Sequence, residues 1–344
     1  MIIIDKLKAT ARAVLNALIT AFNAVVLFFT EVKPLKRQTL SNMDIAEIFI
    51  ALLPAAIFGV VVFGVKTLTI LGLSVAVCTL LALLWDIIFK RNNITIDLKS
   101  ALTGFVLALT LTSTLDWRFT LAISAVAVLL GKVFYRNDGL VFTSPVLIAK
   151  TLFLIIFFKV FTAYALPVEK IATELTPLNY MFVDDSLSFS AKHLFFGLHS
   201  GNIGEISDFL LIVGGIYLML RRIVNPVICS FYIGTLALCS YLFKENLPLS
   251  LLGGGLFFAA VILTMDYGFR ATPLYKKILY GIFCGLLTFI IRLIFKAEGA
   301  VIAVLICNLG FTYVNIRNIK RGIRFCKKPD FKRLLVKIKD KIIY

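Results

Sequence analysis

Few residues in this chain could do chemistry, and most of those stand where an apolar run meets a polar break. Glu205 follows Gly201 and Gly204 at the start of one apolar run, and Asp266 ends another. A carboxylate beside a membrane-length run is costly unless it is hydrated or paired, so each is a candidate contact to an ion or a cofactor. The bland alternatives are a helix-dipole role for Glu205 and pairing with Arg270 or Lys277 for Asp266. Thr103 with Gly104, and the run Gly253, Gly254 and Gly255, could bring backbone close to such a group or simply let helices pack. Ser188 and Ser190 offer hydroxyls inside the polar stretch VDDSLSFSAKHL, residues 183–194. His193 and His199 lie six positions apart, which is no helical i, i+4 metal pair, and they read as interfacial histidines. Lys132, Lys150, Asp86 and Arg292 flank or enter apolar runs and read as side chains snorkelling to the interface.

The cysteines are Cys78, Cys229, Cys239, Cys284, Cys307 and Cys326. Their spacing matches no CxxC metal motif, and most fall inside apolar runs, where a free thiol behaves as a small hydrophobe. No disulfide and no metal cluster is expected from this chain alone. No nucleophile–base pair, Walker loop or GxGxxG occurs, so nothing reads as a soluble catalytic site.

The elements that must position these residues are membrane helices. The chain has 344 residues, 60% of them hydrophobic, and a mean hydropathy of +0.96. Apolar runs of about 18 or more residues recur, long enough to cross a bilayer core. This is an all-α polytopic membrane protein. The net charge of +17 fits cytoplasmic loops better than nucleic acid. Ten spans are read at 46–65, 67–89, 100–114, 117–134, 145–166, 204–220, 224–243, 249–266, 277–296 and 299–316. The third, SALTGFVLALTLTST, is short for a span and reads as a half-helix or a steeply tilted one. Residues 1–44 read as a cytoplasmic segment with an interfacial amphipathic helix, the alternative being an eleventh span.

With the N-terminus in the cytoplasm, the inner loops hold ten Lys or Arg and the outer loops six, and the tail from Arg317 adds eleven more inside. This bias places both termini in the cytoplasm and residues 167–203 outside. The outer loop separates a first five-helix unit, 45–166, from a second, 204–316, followed by the basic tail 317–344. An odd number of spans per half puts the halves in opposite orientation, the layout of an inverted repeat.

Here the motifs become recognisable. LTGFVLALTLTSTLDW, GNIGEISDFLLIVGGIYLMLRR, GGGLFFAAVILTMDYGFRATP and EGAVIAVLICN follow one another in the order seen in one family. Over residues 46–315 the chain resembles the D subunit of the Rnf electron-transport complex and its relative, the B subunit of the sodium-pumping NADH:quinone reductase. The resemblance implies a urea-transporter-like fold of ten helices in two inverted halves. It implies membership of a multi-subunit redox pump that moves electrons between ferredoxin and NAD, or from NADH to quinone, while Na⁺ or H⁺ crosses the membrane. It also implies a flavin mononucleotide esterified to a threonine of a Ser-Gly-Ala-Thr motif in the outer loop. In this sequence Ser188, Phe189, Ser190 and Ala191 stand at that motif. Ala191 has no hydroxyl to esterify, and Phe189 replaces the glycine. The expectation is an Rnf-D-like subunit whose flavin, if it binds one, is non-covalent FMN or riboflavin. A cofactor-free transporter or channel and a scaffolding subunit on the same fold are the competing readings. The acid at Asp266 is kept, but Met265 and Tyr267 depart from the family's Ala-Thr-Asp-Pro, and Ser144-Pro145 replaces Asn-Pro.

Overall fold

The structure, a computed structural model, describes residues 41–88, 98–134, 144–165, 172–173, 191–197, 199–265, 273–295 and 299–311. Backbone contacts divide the chain into a unit of Arg37–Leu309 and a unit of Met1–Lys36 with Gly310–Tyr344. Nearly all of the second lies outside the described residues, as do residues 1–40 of the N-terminal segment and the basic tail read from sequence. Apart from Gly310 and Phe311 at the end of the last helix, the first unit holds everything described below.

Helix α1 (Asn42–Phe63) starts at a reciprocal cap. The Ser41 hydroxyl accepts from the Asp44 amide at 3.2 Å and the Asp44 carboxylate accepts from the Ser41 amide at 3.0 Å, satisfying two of the orphan donors at a helix start. It ends at Gly64, and α2 (Val65–Ile88) begins at the next residue. Then come α3 (Leu98–Leu109), α4 (Trp117–Phe134), α5 (Pro145–Ile156) and the single turn α6 (Phe158–Phe161). A two-residue antiparallel ladder, β1 (Tyr164–Ala165) with β2 (Ala172–Thr173), pairs Tyr164 with Thr173. After it follow α7 (Ala191–Phe196), α8 (Asp208–Leu220), α9 (Pro226–Leu242), α10 (Leu247–Leu252), α11 (Leu256–Phe258), a π turn (Ala259–Leu263) and α12 (Leu274–Phe295). A last apolar helix, α13, spans Ala300–Phe311.

Three helices, α1, α2 and α12, are long and apolar enough to cross a membrane, and α3, α5, α8, α9 and α13 are shorter apolar helices. Their outward faces are bare of polar cover. Ile50, Leu53, Ile57 and Val61 of α1 and Val213, Ile216 and Leu220 of α8 are exposed. So large an apolar surface is explained by lipid, which solvates Leu and Ile as well as a protein core does.

Two spans are not continuous membrane-crossing helices, and for the third this is one of the two forms its short sequence allows. The third is a half-helix. At 12 residues α3 rises only about 18 Å, short of the ~30 Å hydrocarbon core, and residues 110–116 continue without regular structure. The eighth is broken. α10 stops at Leu252, Gly253–Gly255 interrupt it, and α11 with the π turn resumes. The sixth helix begins at Asp208 rather than 204, and the fifth ends at Ile156 before the α6 turn. Irregular backbone at membrane depth must be sheltered by protein, and that is where the polar residues gather.

Helix α2 packs on α3 and α4, α9 packs on α12 and the broken eighth span, and α1 packs on α8. Polar ties repeat across the first two groups. Ser74 of α2 donates to the Gly104 carbonyl at 2.8 Å, and Ser124 of α4 donates to Ser74 at 2.9 Å. Cys229 of α9 donates to the Ala260 carbonyl at 3.0 Å, and Tyr232 bonds Thr288 of α12 at 2.7 Å. Where α1 meets α8, Arg221 pairs with Glu47.

Candidate functional site

The run from His199 to Asp208 is buried at every position, although its backbone is non-helical up to Ser207. Buried amides need partners, and here the break after α3 provides them. The Ile203 amide donates to the Leu111 carbonyl at 2.9 Å, the Gly204 amide to Leu109 at 2.8 Å, and Thr112 bridges Asn202. The run is therefore stitched against residues 109–112 as a short extended pair. The exposed ends of α3 and the entrance to α8 thereby satisfy each other.

Glu205 lies at the centre of this seam. Its Oε1 faces Lys150 Nζ of α5 at 3.5 Å and its Oε2 accepts from Asn202 Nδ2 at 2.7 Å. The Lys150 and Glu205 side chains are 7% and 4% exposed, so the pair is sealed from water. On its other side Oε2 rests on the backbone of Gly255. A Cβ at that position would lie 2.3 Å from Oε2, and Gly255 has φ +61°; both requirements select glycine. Arg292 of α12 closes the far side of the same break. Its guanidinium donates to the carbonyls of Ser250 at 2.6 Å, Gly253 at 3.0 Å and Gly254 at 3.3 Å, capping the open carbonyl end of α10. Asp208, the first residue of α8, is 1% exposed. It lies within electrostatic range of Glu205 and Arg292, and its Oδ2 has no hydrogen-bond partner. Two acids and two bases thus meet where the two broken spans and the buried run converge.

The sequence candidates divide clearly. Glu205 is in the centre, held by a lysine and an asparagine rather than acting as a cap; the N-cap of α8 is Ser207. Gly255 touches it. Gly104 is a packing residue, since a Cβ there would come within 2.7 Å of the Ser74 carbonyl. Thr103 turns its hydroxyl back onto its own helix, donating to the Lys99 carbonyl at 2.8 Å. Ser188, Ser190 and Asp266 lie outside the described residues. The snorkelling reading fails for two cations. Lys150 and Arg292 are buried in the centre, and Lys132 pairs with Asp86 at 3.0 Å. A buried cation with a fixed partner needs no route to the interface. Sequence reasoning misses Asn202 and Asp208. Their signal is the three-residue spacing Asn202, Glu205, Asp208 ahead of an apolar run.

His193 is exposed on α7, whereas His199 is buried, with Nδ1 2.9 Å from the Ser200 carbonyl and Nε2 unpartnered. Burial holds its imidazole below the ordinary histidine range, against backbone contacts that pull the other way. The unfolded chain then binds the proton that the folded one refuses. Stability contributed here is full above the unfolded pKa of about 6.5 and falls as pH drops through it. Thermal unfolding at mildly acidic pH should occur below that at neutral pH, and His199→Gln should flatten the difference. Equal acid sensitivity in the variant would assign it elsewhere.

A helical, lipid-facing body with broken spans meeting at a buried charged centre defines a multi-pass membrane protein of the transporter or pump type. The sequence model of the NQR2, RnfD, RnfE family matches residues 31–321, and the chain belongs to that family. It is 30% identical over 285 residues to the D subunit of the Na(+)-translocating ferredoxin:NAD(+) oxidoreductase complex of Acetobacterium woodii, covering 80% of this chain and 87% of the relative. It is 26% identical over 289 residues to the D subunit of the ion-translocating oxidoreductase complex of Stutzerimonas stutzeri, covering 72% and 81%. A shorter match, 33% over 157 residues, links it to the B subunit of the Na(+)-translocating NADH-quinone reductase of Chlamydia abortus, covering 39% and 31%.

Proposed function

We propose that this chain is the integral membrane D-type component of an Rnf-type, redox-driven ion-translocating complex, working beside other membrane and peripheral subunits. The observation that carries this reading is the family match across the whole helical body, residues 31–321. The spans form two inverted five-helix repeats, 45–166 and 204–316, with both termini in the cytoplasm and residues 167–203 outside. The paired ties Ser74–Gly104 and Cys229–Ala260 support the repeat, since each binds the second helix of a half to the interrupted third.

The flavin implied by the family is tested against the residues present. Ala191 occupies the threonine acceptor position and is the first residue of α7. It offers no oxygen for a phosphoester, so the residues do not fit covalent attachment there. The expected result on a denaturing gel is a band dark under ultraviolet light, with an intact mass free of added flavin mononucleotide. A fluorescent band that disappears in Ser190→Ala would transfer the attachment to Ser190 and restore a covalent carrier. Any flavin this chain holds is non-covalent and leaves on denaturation.

Mild detergent extraction followed by identification of the co-purifying chains tests the proposed membership of a complex. The expected companions are iron–sulfur and flavin proteins together with further membrane subunits. A lone homo-oligomer that transports a solute would replace the reading with a cofactor-free transporter.

A further inference from the structure

We infer that the end of the molecule at which α2 and α4 begin binds the headgroup of an anionic phospholipid. Lys66 and Arg118 face its phosphate, and Trp117 lies at the boundary between headgroup and acyl chains. The site is independent of the translocase reading.

Three contacts fix the geometry. Near the starts of the two helices, Lys66 Nζ donates to the Thr114 carbonyl, just before α4, at 3.3 Å. Further in, Ser124 donates to Ser74 at 2.9 Å. At the far ends Lys132 pairs with Asp86 at 3.0 Å. The contacts follow the same order along both helices, so α2 and α4 run parallel and begin at one level. Counted back from Ser74 and Ser124 at about 1.5 Å per residue, Lys66 and Trp117 stand about 12 Å and about 11 Å above that contact. Lys66, Trp117 and Arg118 therefore share one rim. All three are exposed, and the Arg118 guanidinium carbon lies 5.6 Å from the centre of the Trp117 ring.

Beneath the rim the surface is apolar. Val65 and Leu68 of α2 and Leu121 of α4 are exposed, as side chains that meet acyl chains are. Trp117, 61% exposed, stands at the top of this face, where an indole has its ring in hydrocarbon and its N–H among headgroups. The two cations decide which headgroup. Lys66 and Arg118 against the exposed Asp116 leave one net positive charge, and the starts of two parallel helices add positive potential at the same end. A zwitterionic headgroup brings its own cation and gains nothing net from that charge, whereas an anionic one does. Each basic residue near such a lipid is worth about fivefold in affinity. A guanidinium stacked over a ring face keeps its N–H edges for phosphate oxygens. A free phosphate ion would leave the apolar face below unused, so the occupant that matches both parts is a phospholipid.

Trp85 and Trp117 are the two tryptophans of the chain, so in a Trp85→Phe background Trp117 reports its own lipid neighbours. The full chain is reconstituted in phosphatidylcholine vesicles that hold brominated phosphatidylglycerol or, at the same fraction, brominated phosphatidylcholine. Bromine quenches tryptophan fluorescence on contact. Brominated phosphatidylglycerol should be enriched about fivefold at Trp117, and less so at high salt. Lys66→Gln combined with Arg118→Gln should abolish the preference. Asp116→Asn should raise it, an outcome that loss of structure cannot mimic. Equal quenching by the two lipids overturns the inference and leaves Trp117 an ordinary interfacial anchor. Quenching by neither overturns it as well, because protein then covers the rim. A preference that survives the double substitution, or that falls in Asp116→Asn, overturns the assignment to these charges.

Discussion

Replacing Lys150 by methionine should destabilise the protein by about 3–5 kcal/mol and lower its unfolding temperature by about 6–10 °C. The substitution keeps most of the side-chain volume and removes only the charge. What remains is Glu205, sealed from water and deprived of the cation on Oε1, with Asn202 still donating to Oε2. An uncompensated buried charge is among the costliest single defects a fold can carry. The pair itself is less valuable than its breakage suggests, because burying both charges costs solvation that their attraction only partly returns. This asymmetry supplies the test. Adding Glu205→Gln to Lys150→Met should recover most of the loss, since glutamine can still accept from Asn202. Cys78, Cys229, Cys239, Cys284 and Cys307 are free and buried, so in a Cys326→Ser background a thiol-reactive dye in detergent reads global unfolding. A single variant that unfolds with the wild type, or a double variant no better than the single, would show that Lys150 does not balance Glu205.

The membrane class and most helix positions were legible in the sequence because hydropathy acts locally. A run such as TLAISAVAVLL announces its own environment, and the fourth span falls at 117–134 in both readings. The broken spans were half-legible. The brevity of SALTGFVLALTLTST pointed to a half-helix, but the break at Gly253–Gly255 was hidden inside an apolar run long enough to cross unbroken. The charged centre was the least legible. Lys150 and Arg292 resemble interfacial anchors when each is read against its own helix alone. Their partners come from elsewhere, Glu205 55 positions along the chain from Lys150 and the Ser250 carbonyl 42 positions from Arg292. Pairing over such separations is set by the tertiary fold, and no local pattern records it. Gly255 carries the same lesson. Small residues in a membrane helix usually mean close packing, and only the structure shows a carboxylate lying where its Cβ would be.

Arg292→Met should be comparably damaging, by roughly 3 kcal/mol or more, because it strips the donors from buried carbonyls, each costing about 1–3 kcal/mol when left unpaired. The Ser250, Gly253 and Gly254 carbonyls form the open end of α10, and the planar guanidinium spans them with two nitrogens. Water is the usual substitute at a helix end, but Ser250 and Gly253 are buried. Arg292→Lys separates charge from geometry. Lysine keeps the positive charge facing Asp208 and the dipole of α10, yet its compact ammonium cannot reproduce a fork set across three carbonyls. It should therefore recover only part of the stability lost in Arg292→Met, measured by the same thiol-dye unfolding. Full recovery by lysine would mean that charge alone holds the break, and no recovery would mean that geometry alone does. The partial result expected here makes the guanidinium both a structural strut for the eighth span and the counter-charge of the buried acids, so that the integrity of the break and the electrostatics of the centre fail together when Arg292 is lost.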